Sequence, residues 1–461
     1  MTDPDELPLA IDRDAPRPLA VQVADELRAA ATDGRLRGGD RLPSSRALAI
    51  RLGVSRTVVT AAYDQLHAEG WLTGRHGSGT FLTASPASAP EHSTAIADSE
   101  ISSPHYDLAP GAPCTEAIDR AAWRRAWRSA SDRIPLVRKD RRGDADYRTV
   151  VAEHLLRHRG LAATSDTVVL ATSGTSSAVG ELAAALLRPG DVVAMEDPCY
   201  QRAVGAFRAA GVRLLPVPVD AQGLRVDLIP PDVRAVYCTP AHQFPLGARM
   251  PASRRVELIE FARRTGTLVL EDDYDGELRY DTAPLPLLAA LAPDVVVHLG
   301  TTSKILTPTL GAGWLVAVPE IAHAVTAVRE STGTGPAPAG QQVVVELARH
   351  GDLARHLRRL RREMADRRSL VVAELSGRGL EVRGDDAGSH VLVPLPSAAE
   401  EDAVIAEAHR RGVLLDALGR HYLGERHHFG IPLGYSAPPR ADLADAVRIA
   451  GECMTGNDRA R

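Results

Sequence analysis

The stretch Leu299-Gly300-Thr301-Thr302-Ser303-Lys304-Ile305-Leu306-Thr307-Pro308 decides how this chain is read. It is a small, hydroxyl-rich turn behind an apolar run. It holds one of only two lysines, the other being Lys139, in a chain with 54 Lys and Arg residues. Arginine fills nearly every ordinary cationic role, so a retained lysine calls for a specific reason. Lys139 lies in Arg138-Lys139-Asp140-Arg141-Arg142, where either cation serves. An amine of lowered pKa condenses with an aldehyde, whereas a guanidinium stays protonated and does not. Lys304 is therefore the candidate for covalent chemistry.

Working outward, Val168–Thr172 reads as a strand, residues 173–177 as a turn and residues 178–187 as a helix. Four more strands follow over 192–195, 235–239, 267–271 and 295–299, each ending in functional groups. Ligand groups gathered at the carboxyl ends of parallel strands are the expected arrangement in an open α/β sheet. The Ser173-Gly174-Thr175-Ser176-Ser177 turn offers backbone N–H groups and a helix N-terminus to an anion. Tyr200 follows one strand, His242 and Gln243 lie in a turn after another, and Glu271-Asp272-Asp273-Tyr274-Asp275 ends a third. His242 and Gln243 are read as satisfying their turn. An aldehyde cofactor with a pyridine ring and a phosphate needs this set: an amine, a carboxylate for the ring nitrogen, a phenol for the ring oxygen, a stacking ring and an anion cup.

The N-terminal zone, residues 1–83, has a different character. Residues 35–58 carry six arginines against one acid, Asp40, although the whole chain has a net charge of −5. A first helix is expected over 19–31. Ser44 and Ser55 read as N-caps of two further helices separated by Gly53. Val59, Ala62, Tyr63 and Leu66 make the buried stripe of the last helix, and Arg56, Thr57 and Thr60 fall largely off it. Trp71 to Leu82 reads as a two-stranded wing with a His76-Gly77-Ser78-Gly79 tip. Residues 84–105, rich in Ser, Ala and Pro, have the composition of a flexible linker. Strand and helix patterns alternate over 106–455. Four scattered cysteines show no metal-ligand spacing, and no metal site is expected. No apolar run is long enough to span a membrane, and a reducing cytoplasm is the expected setting.

The segments Gly34 to Ala49, Leu52-Gly53-Val54-Ser55-Arg56-Thr57-Val58 and Tyr63 to Leu72 closely resemble the GntR winged helix-turn-helix. The resemblance implies that Arg46 and Arg56 contact DNA phosphates or bases, with Thr57 beside them and His76-Gly77 forming the wing contact. The later constellation resembles the fold-type I aminotransferase superfamily that uses pyridoxal phosphate (PLP). Together they look like a MocR/GabR-type transcriptional regulator. The implied fold is α/β, with a mostly parallel sheet in a large domain and a smaller α+β C-terminal domain. Residue by residue, the resemblance implies that Lys304 forms an imine with PLP, Asp272 pairs with the pyridine nitrogen, Tyr274 bonds the ring oxygen and Tyr200 stacks on the ring. Gly174, Thr175 and Ser176, with Thr301 and Ser303, would hold the phosphate. Arg202 matches a position that binds an effector carboxylate in the GABA-responsive member. A homodimer on two DNA half-sites is implied, with an amine, an amino acid or PLP itself as effector.

Two departures from the family pattern stand out. Gly311 occupies the place of an arginine that usually pairs with the phosphate, and Pro432 falls where aminotransferases present an arginine to the substrate carboxylate. The expectation is a sensor without efficient turnover. An active aminotransferase, and a regulator that has lost covalent PLP binding, are the alternatives.

Overall fold

The computed structural model describes residues 9–75, 79–83, 105–134, 137–162 and 166–456. Contacts divide the chain into two units, 1–101 and 102–461. The linker expected over 84–105 lies, apart from His105, outside the described residues.

The first unit contains α1 (Leu19–Thr32), α2 (Ser45–Leu52), α3 (Arg56–Ala68), β1 (Leu72–Arg75) and β2 (Gly79–Leu82). The serine caps form as expected: Ser44 Oγ accepts from Ala47 N at 3.1 Å and Ser55 Oγ from Val58 N at 3.4 Å. Each satisfies one of the open N–H groups at its helix start. Gly53 turns the chain between α2 and α3 at φ 63°, a left-handed conformation that favours glycine. The Arg13 guanidinium secures that turn, donating to Gly53 O at 2.7 Å. Val23, Leu27, Leu48, Val59, Ala62 and Leu66 form the core, and the Tyr63 hydroxyl donates to Pro43 O at 2.8 Å. β1 and β2 pair antiparallel from Leu72↔Leu82 to Arg75↔Gly79.

The second unit runs, in chain order, through β3 (Tyr106–Asp107), α4 (Arg120–Ser131), α5 (Ala145–Arg159), β4 (Val168–Thr172), α6 (Thr175–Leu186), β5 (Val192–Asp197), α7 (Gln201–Ala209), β6 (Arg213–Asp220), β7 (Gly223–Leu224), β8 (Ala235–Cys238), α8 (Ala252–Thr265), β9 (Leu268–Asp273), α9 (Leu288–Leu291), β10 (Val296–Thr301) and β11 (Gly313–Ala317). Strands β4 to β11 make one sheet in the order β4-β11-β10-β9-β8-β5-β6-β7. The five central strands β10, β9, β8, β5 and β6 are parallel, and β11 and β7 pair antiparallel with their neighbours. The parallel strands are buried apolar runs, as a sheet covered on both faces requires. The chain continues through α10 (Pro319–Thr332), α11 (Pro338–Arg349) and the long α12 (Asp352–Gly377). A smaller α+β portion follows: β12 (His390–Leu395), α13 (Ala398–Arg410), β13 (Val413–Leu414), β14 (Phe429–Gly434) and α14 (Arg440–Thr455). There β12 pairs with β14, and β13 with β3. Among the described residues no helix is long and apolar enough to cross a membrane.

Two sequence boundaries shift. Helix α6 begins at Thr175, three residues earlier than the expected 178, because Gly174 (φ 129°) stops the extended chain and the hydroxyl residues enter the first turn. β5, β9 and β10 each run two residues further than expected, so Asp197, Asp272, Asp273 and Thr301 belong to strands. The strand shifts put polar groups on the carboxyl end of the sheet, and the helix shift puts the hydroxyl residues in the first turn of α6.

Candidate functional site

A cavity of about 660 Å³ opens at the carboxyl ends of β5, β8, β9 and β10. Lys304, Asp272, Tyr274, Tyr200, Gly174, Thr175, Ser176, Thr301, Ser303 and Arg202 all line it. The ten positions expected from sequence for cofactor and effector are thus brought to one place.

The acidic run after Leu270 explains how. Alternation along β9 sends successive side chains to opposite faces. Glu271 accepts from the N–H groups of Leu288 (2.7 Å) and Ala289 (3.2 Å), so it anchors the start of α9. Asp273 forms a buried pair with Arg159, with Nη2 to Oδ1 at 2.9 Å. Between them Asp272 faces the cavity, only 2% exposed. Its Oδ2 accepts from the Tyr237 hydroxyl at 2.5 Å, and its Oδ1 has no partner. Burial pushes this carboxyl up to about 7, against the pull of the Tyr237 hydrogen bond. A buried carboxylate with an open oxygen is short of a cationic donor.

Lys304 donates to Gly111 O. Gly111 has φ 106°, a conformation that favours glycine, and a Cβ there would stand 3.1 Å from Nζ. Burial lowers the lysine's proton affinity, opposed by the carboxylates of Asp275 and Asp272 and assisted by Arg202. An amine so placed is closer to the neutral, nucleophilic form.

A polar cup lies at the other end. Gly174 caps α6 with no side chain, leaving the N–H groups of its first turn open toward the cavity. A Cβ on Gly174 would stand 3.6 Å from Thr301 Oγ1 and 4.0 Å from Ser303 Oγ, which places the three residues around one point. Thr301 Oγ1 donates to Ser303 Oγ at 2.8 Å, and Ser176 Oγ donates to the Tyr200 hydroxyl at 3.3 Å. The cup is made of neutral donors. Gly311, where the family pattern places arginine, ends a 3-10 turn at φ 55°, and a Cβ there would meet no atom within 4 Å. Arg202 lies exposed in the first turn of α7, with no hydrogen bond or ion pair among the described residues.

Sequence reading missed three contributors, Phe244, Tyr237 and Arg420. Phe244 presents its ring edge-on to Tyr200 (5.8 Å), Tyr274 (5.9 Å), His390 (5.4 Å) and His421 (5.1 Å). Tyr237 holds Asp272 from the neighbouring strand. Arg420 also lines the cavity, paired with Asp416 at 2.7 Å. Gln243 does satisfy its own turn, its amide carbonyl accepting from Leu246 N at 3.0 Å. His242 does not: its Nδ1 faces Asp275 Oδ2 at 2.9 Å and the Tyr274 hydroxyl at 3.1 Å. Pro432 is buried in β14 opposite Leu392 and offers no charge.

PLP fits this donor set. The open Oδ1 of Asp272 would receive a protonated pyridine nitrogen, Lys304 is the amine, and the cup supplies donors for a phosphate.

In the first unit Arg46 (second residue of α2) and Arg56 and Thr57 (first two of α3) are all exposed, with Arg41 and Arg51 exposed nearby. Arg56 Nε reaches Ser45 Oγ at 3.3 Å, which sets the two basic helix starts side by side. This is the surface a major groove would meet. His76 and Gly77, the expected wing contact, lie outside the described residues.

A helix-turn-helix head followed by an α/β domain with a lysine-bearing cofactor cavity defines a regulator built on an aminotransferase scaffold. Residues 106–424 match the family described as Aminotransferase class I and II. Residues 19–82 match Bacterial regulatory proteins, gntR family. The chain is 32% identical over 457 residues to the HTH-type pyridoxine biosynthesis transcriptional regulator PdxR of Corynebacterium glutamicum, covering 96% of this chain and 99% of that one. It is 31% identical over 465 residues to the probable rhizopine catabolism regulatory protein MocR of Rhizobium meliloti, covering 93% and 92%. Among solved structures, kynurenine aminotransferase of Pyrococcus horikoshii superposes with a TM-score of 0.71 at 25% identity, over 77% of this chain and 91% of that chain. This chain belongs to the MocR-type transcriptional regulators.

Proposed function

We propose that the large unit binds PLP through Lys304 and that its occupancy governs how tightly the head binds DNA. When bound, PLP supplies an aldehyde that condenses with amines and a ring that withdraws electrons. Asp272 would hold a proton on the ring nitrogen, Tyr274 would donate to the ring oxygen, and Tyr200 would cover one face. Gly174, Thr175, Ser176, Thr301 and Ser303 would hold the phosphate. The observation that carries this reading is the buried, unpartnered Oδ1 of Asp272 in the same cavity as Lys304.

PLP itself is the signal we favour. A cup of neutral donors suits a ligand whose occupancy follows its concentration, and the similar Corynebacterium glutamicum protein is named for pyridoxine biosynthesis. Arg202 would meet the carboxylate of an amino-acid effector if one enters. Arg46, Arg56 and Thr57 would contact DNA. A cytoplasmic homodimer on two half-sites completes the proposal.

The test is reduction of PLP-treated protein with borohydride, with the labelled peptide mapped by mass spectrometry. Operator affinity would be measured in parallel with and without PLP, on a fragment selected from genomic DNA. Label on Lys304 and a PLP-dependent affinity support the proposal. Label on Lys139, or identical affinities, would refute it. Turnover is a second reading, favoured by the retained Lys304, Asp272 and Tyr274 and opposed by Pro432. Amino donors assayed with common keto acids should give rates far below the roughly 1–1000 per second of working enzymes.

A further inference from the structure

Lys304 is bonded to a segment of chain that PLP binding alone does not use. Ala109-Pro110-Gly111-Ala112-Pro113 forms a strap between two buried anchors, Leu108 and Cys114. Pro110, Gly111, Ala112 and Pro113 line the cofactor cavity. Before the first anchor the chain is firmly held. There β3 pairs with β13, Tyr106 N donating to Gly412 O and Leu108 N to Leu414 O, both at 3.0 Å. Gly434 N, at the end of β14, donates to Leu108 O at 2.8 Å.

Within the strap the holds are few. Pro110 and Pro113 have no N–H to donate. Ala109 N turns back to Asp107 Oδ1 at 2.9 Å, inside the same segment. Among the described residues, two donors reach the strap's carbonyls from elsewhere in the fold. Ser436 Oγ donates to Ala112 O at 2.5 Å, and Lys304 Nζ donates to Gly111 O. That bond is also the one hydrogen bond Lys304 makes among the described residues. The lysine that would take the aldehyde thus fastens the middle of the strap.

Imine formation consumes the hydrogens that make this bond. The amine nitrogen and the aldehyde carbon become C=N, and the carbonyl oxygen leaves as water with both hydrogens of the neutral amine. A proton regained by that nitrogen is shared with the adjacent ring oxygen of PLP itself. We propose that Lys304 is a latch: in the PLP-free protein it holds the strap through Gly111 O, and taking up PLP removes that donor and frees residues 109–113. The strap is continuous with β3 and so with the chain that leads back to the first unit. The latch therefore lies on the covalent route from cofactor cavity to DNA-binding head. The inference rests on the PLP reading for its trigger, whereas the latch belongs to the protein without PLP.

The strap is read with an Ala109→Cys reporter in the full-length protein, alkylated with iodoacetamide and followed by mass spectrometry. Position 109 is half-buried and does not line the cavity, so PLP does not shield it, and the four native cysteines are buried. Without PLP, Lys304→Met should raise the alkylation rate about tenfold, the factor expected for losing one charge-assisted hydrogen bond. Gly111→Ala, whose Cβ crowds Nζ at a positive φ, should raise it as well. PLP should raise the rate where Lys304 is present and leave the Lys304→Met rate unchanged. PLP-free Lys304→Met should bind the operator as PLP-loaded wild type does. Equal PLP-free rates with and without the Lys304→Met and Gly111→Ala changes overturn the latch, even if PLP binds Lys304. So does an operator affinity of Lys304→Met that stays at the PLP-free wild-type value while PLP shifts that of wild type. Faster alkylation in both variants, with no yellow band on adding PLP, keeps the latch and sinks the PLP reading instead.

Discussion

The two ends of the cofactor cavity are built differently. The ring end is rich in titratable groups: Asp272, Tyr274 and Lys304 line it, with Tyr237 bonded to Asp272 and the His242–Asp275 pair against the Tyr274 hydroxyl. The end proposed for the phosphate is neutral, with backbone N–H groups, the four hydroxyl side chains of Thr175, Ser176, Thr301 and Ser303, and Gly311 where a cation would stand. An enzyme that must keep its cofactor through every turnover needs both ends strong. A sensor needs the covalent, ring-reading end and gains from a weak anchor, because occupancy then tracks supply.

The largest expected effect tests the ring end. Lys304→Ala should abolish the yellow band of lysine-bound PLP completely, whereas replacing Lys139 should leave it unchanged. Persistence of the band in Lys304→Ala would remove the basis of the contrast.

On the other unit, the double Arg46→Ala, Arg56→Ala variant should lose most operator affinity while its PLP spectrum stays as in wild type. Each phosphate contact removed should flatten the salt dependence by about one unit of slope. Equal operator affinity in wild type and double variant would show that the basic helix starts do not face DNA.

A smaller effect concerns pH. Burial raises the Asp272 carboxyl from the ordinary carboxylate range to about 7 in the PLP-free protein. A raised folded-state value means the folded form holds the proton more tightly, so this group's stability contribution is full below about 4 and is lost as pH rises toward 7. A pyridinium bonded to Asp272 would cancel that loss. Melting curves of PLP-free and PLP-loaded protein should therefore diverge between pH 5 and roughly 8, with the PLP-free form falling faster. Glu196, also raised to about 7 by burial, is common to both forms and drops out of the difference. Parallel curves would mean that the ring nitrogen does not sit on Asp272.

Much of this was legible in the sequence because it is local. Ser44, Gly53 and Ser55 carry cap and turn chemistry within a few residues, and the apolar runs of the parallel strands stand out against their polar ends. The rarity of lysine singled out Lys304. What escaped was non-local. Tyr237 meets Asp272 across 35 residues and His242 meets Asp275 across 33, between strand ends that only the sheet order brings together. Phe244 looked like one apolar residue in a turn, yet four rings converge on it. The start of α6 was placed late because Thr and Ser disfavour helix interiors, although a first turn accommodates them.

The contrast between the two ends stands or falls on Gly311. Arginine has space there, since a Cβ meets nothing within 4 Å. The left-handed backbone at φ 55° would cost the variant about 1–2 kcal/mol of stability in both the free and loaded forms, so it should not enter the affinity. A bidentate arginine–phosphate contact adds about 1.5–3 kcal/mol, or roughly ten- to a hundredfold in binding. The decisive measurement is a PLP titration of wild type and Gly311→Arg, side by side, followed at the yellow band after exhaustive dialysis. The account predicts a wild type that loses PLP on dialysis and a variant that binds it ten- to a hundredfold more tightly. Stoichiometric retention by wild type, with no gain in the variant, would contradict it and place another cation on the phosphate.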